Sequence, residues 1–218
     1  GIIYAAFGTG NNTDSVYSNF GQRPFTYTPP SGYVALNTQN LPTPTISNGA
    51  NYMAATLYTG TGATLAISNA VNSISFQPDW VWVKGRSGAT DHALYDSVRG
   101  TTKDLVSNST AAETTQATGL TAFGSAGFTV GALAKMNTNA ATYVGWQWKA
   151  GTTSASNTDG SITSTVSVGA TQGFSVVTYT GTGANATVGH GLGVAPKMII
   201  VKQRSAVQSW PVYHTSIG

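Results

Sequence analysis

A chain of 218 residues is long enough for one large β domain, or for one complete domain flanked by parts of others. Only 8% of its residues are charged, against roughly a quarter in an ordinary soluble domain, and ten Lys+Arg against seven Asp+Glu leave a net charge of +3. The basic residues are scattered, which argues against a nucleic-acid partner, and the absence of cysteine excludes disulfides, thiol nucleophiles and Cys-ligated metals.

At the N-terminus, Gly1-Ile-Ile-Tyr-Ala-Ala-Phe7 has no initiator Met and no basic leader. It reads as the middle of a strand in a chain that begins inside a longer polypeptide. Residues 41–49 gather Pro, Gly and Asn, which neither a helix nor a central strand tolerates, and so end an N-terminal piece. Beyond them, apolar and β-branched runs bounded by Gly, Asn, Asp or Ser predict strands over 54–58, 80–84, 93–96, 127–130, 142–149, 173–180 and 197–202. That spacing belongs to a sandwich or barrel. Residues 109–118 contain Ala, Glu and Gln but no apolar stripe, which predicts a loop or one short turn, and no long helix fits anywhere. The small, polar stretch 151–160 is a second boundary. The longest apolar run, Met198-Ile-Ile-Val201, is of strand length, so membrane insertion is not expected.

The chain repeats itself. Tyr58-Thr-Gly-Thr-Gly-Ala63 recurs 121 residues later from Tyr179 to Ala184. Pro78-Asp-Trp-Val-Trp-Val-Lys-Gly-Arg-Ser87 is matched 118 residues later by Pro196-Lys-Met-Ile-Ile-Val-Lys-Gln-Arg-Ser205. Tyr95, Ser97 and Gly100 then fall on Tyr213, Thr215 and Gly218. The second copy has no counterpart of the segment from Thr101 to Lys149 and is incomplete as it stands. The domain reading is therefore 1–41, 42–159 for the first repeat with linkers, and 160–218 for the second.

Alternation along a strand puts Trp80, Trp82 and Lys84 on one face and Val81 and Val83 on the other. Met198 and Ile200 replace the two tryptophans in the second copy, and Ile199 and Val201 replace the valines. Apolar residues on both faces in both copies predict a strand covered on both sides, with the tryptophans in a core. Trp146 and Trp148 also share a face, opposite Gly145 and Gln147. Their indoles suit stacking on the apolar face of a sugar, or else close a hydrophobic sheet face.

Asn19-Phe-Gly-Gln-Arg-Pro-Phe25, Tyr27-Thr-Pro-Pro-Ser-Gly-Tyr33 and Ala35-Leu-Asn37 resemble the C-terminal end of a SPRY (B30.2-like) domain of phage structural proteins. The repeat, with Asp91-His-Ala-Leu-Tyr-Asp-Ser-Val-Arg-Gly100 and Tyr143-Val-Gly-Trp-Gln-Trp-Lys-Ala-Gly151, resembles a module that follows such domains in large phage tail and fibre-like proteins. The resemblance implies an all-β chain of antiparallel jelly-roll or concanavalin-like sandwich repeats, preceded by the last strands of a SPRY-like sandwich. It also implies a place on the virion surface, among other virion subunits and in a homo-oligomer. It carries over no catalytic residue.

The functional expectation is a bacteriophage virion structural protein of a tail, fibre or surface appendage that meets host-surface glycans. The alternative is a carbohydrate-binding module of a secreted bacterial adhesin or polysaccharide-active enzyme. Enzymatic action is not expected, because glycan cleavage needs two carboxylates about 5–10 Å apart in contrasting environments. The nearest pair in sequence, Asp91 and Asp96, aligns with Ser209 and His214 in the second copy. His92, His190 and His214 lack metal-ligand spacing, and a Ca²⁺ ion at Asp91 or Asp96 has no ligand pattern behind it, so no cofactor is expected. A polysaccharide ligand would meet Trp146, Trp148, Tyr95 and Asp91 near the strand ends.

Overall fold

The computed structural model describes Tyr17, Asn19 and residues 23–37 and 40–217, and the chain divides into two units, 1–47 and 48–218. The strand expected at residues 1–7 and part of the SPRY-like motif lie outside the described residues. The described residues between 23 and 47 contain no strand.

From Asn48 onward the polypeptide is almost wholly β. Its strands are β1 (Met53–Thr59), β2 (Leu65–Ser68), β3 (Trp80–Gly85), β4 (Ala93–Asp96), β5 (Lys103–Asp104), β6 (Thr114–Thr115) and β7 (Leu120–Gly124). They continue with β8 (Gly127–Val130), β9 (Thr142–Trp148), β10 (Ala155–Asn157), β11 (Ser164–Gly169), β12 (Phe174–Tyr179), β13 (Met198–Ile200) and β14 (Val212–His214). The one α-helix of this unit, α1 (Ala134–Asn137), is a single turn. No described helix is long and apolar enough to cross a membrane.

Two antiparallel sheets face each other, one ordered β1-β9-β3-β4 and the other β2-β8-β7, which makes the first copy a sandwich. Side-chain alternation explains why the sheets meet as they do. Val81 and Val83 of β3, Ala93 and Tyr95 of β4 and Tyr143 of β9 point inward against Ile67, Leu120, Phe128 and Val130 of the other sheet, and Met136 of α1 joins them. Each such large side chain adds about 1.5–3 kcal/mol on leaving water. Gly145 makes room for one of them, since a Cβ there would sit 2.9 Å from the Phe128 ring. A polar cross-link also runs through this core. The Asn69 side chain donates to Gln147 Oε1 at 3.1 Å, and Gln147 Nε2 donates to Thr56 Oγ1 at 3.0 Å, so the fully buried glutamine is satisfied at both ends.

The seven expected strands are all present, with ends shifted by up to two residues. β2, β7 and β11 were not legible, because their Ser, Ala and Gly residues have low strand propensity and are held extended by their partners. Residues 109–118 form a loop except for β6, whose two residues pair with β5. The expectation that Trp80 and Trp82 lie in a core requires correction. The valines fill the space between the sheets, and both indoles stand half-buried on the outer face of β3.

The second copy repeats the β3–β4 hairpin of the first, whereas the stretch 183–189 that corresponds to β2 forms only an isolated bridge between Val188 and Ile162. In the first copy β3 pairs with β4 so that Trp80, Val81 and Trp82 oppose Asp96, Tyr95 and Leu94. Residues 118 positions on, Met198, Ile199 and Ile200 of β13 oppose His214, Tyr213 and Val212 of β14. The flanking bond is also the same: Ser97 N–H donates to Asp79 C=O at 2.8 Å, and Thr215 N–H to Lys197 C=O at 3.0 Å. β12 is the counterpart of β1 but pairs with β11, in a sheet ordered β10-β11-β12.

The stretch between the copies is ordered. Asp79, fully buried, accepts the Ala150 and Thr152 N–H groups on one oxygen and the Ser97 and Ser167 hydroxyls on the other. A single carboxylate thus ties the end of β9 to β11. A second tie is ionic. Arg99, almost wholly buried, bridges Asp96 and Glu113, and Glu113 also pairs with Arg204 of the second copy. Arg99 further donates to the Leu94 and Lys103 carbonyls, so its side chain makes four hydrogen bonds in all.

Candidate functional site

Because the inner positions of β3 and β9 are taken by Val81, Val83, Tyr143, Gly145 and Gln147, alternation drives four indoles to the opposite face. Pairing then sets them side by side, Trp80 opposite Trp148 and Trp82 opposite Trp146. Ring centroids are 4.8 Å apart in the first pair and 6.1 Å in the second, the latter edge to face at 73°. Trp80 and Trp82 are 5.9 Å apart along the strand, so the four rings form one continuous aromatic face.

Its two ends differ. Phe174, at the start of β12, stacks on Trp80 at 5.7 Å and on Trp148 at 6.4 Å, closing that end with the second copy. At the other end, among the described residues, no ring stacks on Trp82 and Trp146 as Phe174 does on the first pair. A polar chain borders them instead. Trp82 Nε1–H donates to His92 Nδ1 at 2.7 Å, His92 N–H donates to Asn108 Oδ1 at 2.9 Å, and Asn108 Nδ2 donates to the exposed Asp91 carboxylate at 2.8 Å. Asn108 also lines an open recess of about 550 Å³ with Ser107, Ser109, Thr110, Ser209 and Trp210. Trp210 Nε1–H donates to the Ser109 carbonyl at 2.9 Å, so both copies contribute to the recess.

Burial holds His92 below the ordinary imidazole pKa, the Lys84 ammonium adds to that, and Asp91 partly opposes it. A neutral Nδ1 is what the Trp82 bond requires, since a protonated one could not accept. On the far side of β4, burial is the largest influence on the Asp104 carboxyl and raises its pKa, although Lys135 pairs with it and pulls the other way. Burial also pushes the neighbouring Tyr95 hydroxyl upward, and the Asp104 charge adds to that. Burial alone would raise Glu113 too, but Arg204 and Arg99 outweigh it and leave the carboxyl below its ordinary value.

Of the four residues expected to meet a ligand, Trp146 and Asp91 come together at the open end, linked through Trp82, His92 and Asn108. Trp148 lies under Phe174 in the seam between the copies. Tyr95 does not belong with them. It points into the sandwich with none of its surface exposed, and its hydroxyl packs against Gly119. The strand-end position suggested access, but Asp104, which follows β4, and Gly119 and Leu120 at the start of β7 lie against its hydroxyl end. Trp82, His92, Asn108 and Phe174 were missed as site residues. The signal for Trp82 was its place on the same strand face as Trp80, whereas the Phe174 contacts with Trp80 and Trp148 join separate strands and leave no local trace.

The carboxylates are otherwise engaged. Asp79, Asp96, Asp104 and Glu113 each hold backbone, hydroxyl or cationic partners, Asp159 accepts from Asn157, and Asp14 lies outside the described residues. Asp91 and Asp96 belong to separate networks, one with Asn108 and the other with Arg99. Among the described residues, no three His, Asp or Glu side chains converge as a bound metal would need. The arrangement offers flat apolar stacking surface beside amide, carboxylate and hydroxyl groups.

No curated protein and no solved structure matches the chain. One family model does, described as a domain of unknown function (DUF7483), and it spans residues 48–218, the whole of the second unit and both copies of the repeat. The chain therefore belongs to the DUF7483 family.

Proposed function

We propose that this chain is a non-catalytic structural and surface-binding module of a bacteriophage virion appendage, and that the open end of its tryptophan face binds cell-surface polysaccharide. The observation that carries the binding reading is the pairing of Trp82 and Trp146 beside Asp91, His92 and Asn108. Sugar rings present C–H faces that stack on indoles and hydroxyls that bond to amides and carboxylates, and this end supplies both. The virion placement, with other virion subunits and further copies of the chain as partners, rests on the sequence resemblance of residues 19–37 and of the repeat.

The test is binding of the folded chain to host-type polysaccharides by affinity electrophoresis. Trp146→Ala is expected to weaken retardation at least tenfold while circular dichroism stays unchanged. Equal retardation by a folded Trp146→Ala chain would sink the glycan reading. Gold-labelled antibody against residues 48–218 is expected to decorate purified phage particles, and absence of label from every particle preparation overturns the placement.

A further inference from the structure

Lysine and arginine differ in what an ion pair can become. A guanidinium stays a cation, whereas an ammonium can give up a proton and act as a nucleophile. Among the described residues, three ion pairs use Arg99 or Arg204, and one joins Lys135 of α1 to Asp104 of β5. Lys135 Nζ donates directly to Asp104 Oδ2, with the aspartate side chain 1% exposed and the lysine side chain 17%.

A second observation falls on the same carboxyl. Two buried side-chain polar atoms among the described residues have no hydrogen-bond partner, and both belong here: the other Asp104 oxygen, Oδ1, and the Tyr95 hydroxyl. Buried polar groups are nearly always satisfied, so two orphans around one carboxyl call for an explanation. The two side chains lie near enough that each acts on the other's proton. Burial is the largest influence on the Asp104 carboxyl and favours its uncharged form, with Lys135, Tyr95 and Arg99 pulling the other way. Burial also keeps the Tyr95 hydroxyl protonated and able to donate.

Packing fixes all three groups. Tyr95 has no exposed surface, and a Cβ on Gly119 would sit 2.2 Å from its hydroxyl. Leu105, next to Asp104, exchanges backbone hydrogen bonds with Leu94 of β4, and Met136, next to Lys135, is fully buried in the sandwich core. A nucleophile and a carboxyl held in contact away from water react as one molecule, without the entropy cost of bringing them together.

We propose that Lys135 and Asp104 join in an amide bond formed by the folded chain itself, a covalent cross-link between α1 and β5 that the Tyr95 hydroxyl assists. The Lys135 ammonium passes one proton to Asp104 Oδ2 across their contact, leaving an amine and a carboxylic acid. The Nζ lone pair then adds to Cγ, and the Tyr95 hydroxyl donates to the negative charge that develops on Oδ1. A second Nζ proton passes to the Oδ2 hydroxyl, the Cγ–Oδ2 bond breaks and one water leaves. An ammonium and a carboxylate thus become an amide and a water, and the balance needs no co-reactant. In the product the amide oxygen accepts from Tyr95, which satisfies both orphan atoms. This inference does not depend on glycan binding.

The probe is the whole chain, denatured and weighed intact by mass spectrometry. Its mass is expected one water below that of the sequence. Trypsin cuts after Lys and Arg, and Lys135 is the one such site between Asp104 and Lys149. The linked chain is therefore expected to yield residues 104–149 as one peptide short of a water and uncut at Lys135, in place of separate peptides 104–135 and 136–149. Lys135→Arg keeps the charge but supplies no amine, and is expected to restore the full mass and the cut after position 135. Tyr95→Phe is expected to lower the linked fraction by about tenfold or more in chains of native dichroism. A folded parent chain of full mass that is cut after Lys135 overturns the proposal, as does a water loss that persists in Lys135→Arg. Equal linkage in a folded Tyr95→Phe chain overturns the part assigned to Tyr95.

Discussion

The hairpins β3–β4 and β13–β14 are nearly the same object in two settings. Residue for residue the register agrees, and so does the bond that flanks it. One lies at the heart of a sandwich and the other has its apolar residues in water. The contrast separates what a β-hairpin decides for itself from what its neighbours decide. Pairing and alternation are local, set by backbone hydrogen bonds and a period of two. Burial is not local, because a sheet face becomes a core only when another layer lies on it.

The largest test of this difference is a charge on the shared inward face. Val81→Asp would bury a carboxylate among Tyr143, Phe128 and Val130, and is expected to cost at least about 3 kcal/mol in urea unfolding. Ile199→Asp, at the matching position, is expected to stay within about 0.5 kcal/mol of the parent chain. Equal losses would mean that the second hairpin is also covered in solution.

A smaller contrast lies in the paired glycines. Gly60→Ala drives a methyl into the Thr138 backbone carbonyl and is expected to destabilise by about 1–3 kcal/mol. Gly181→Ala meets open space and is expected to be neutral, or to stabilise by about 0.5 kcal/mol through loss of unfolded-state freedom.

The smallest effect is the pH dependence contributed by His92, which aligns with Trp210 in the second copy. The folded state holds His92 below the ordinary value of 6.5, so the unfolded chain binds its proton first as pH falls. Stability is therefore expected to decline as pH drops from about 6.5 through the lower folded-state pKa, together with the Trp82 bond. Urea midpoints at about pH 7.5 and about pH 5.0, compared with those of His92→Gln, isolate this contribution. An unchanged difference in His92→Gln would assign the loss to other groups.

Much of this is visible in the chain itself. The alternation of Trp and Val in β3, and of Trp with Gly and Gln in β9, is enough to place the residues on opposite faces of their strands. It does not say which face is inward. Indole is the larger apolar group, so burial preference alone favours the tryptophans, but the space between the sheets is filled by Phe128, Tyr143 and Leu120 and accepts valine and glycine opposite them. Tyr95 misleads in the reverse sense. Nothing in its own strand reveals that Asp104, Gly119 and Leu120 close over it.

Composition, the repeat and the two-residue period determined an all-β chain and placed seven of its fourteen strands, because these depend on local propensity and on similarity within the sequence. The tertiary structure alone decided which tryptophans remain reachable. Phe174 closes one end of the aromatic face and the His92–Asn108–Asp91 chain borders the other, through contacts between segments that a local reading treats as independent.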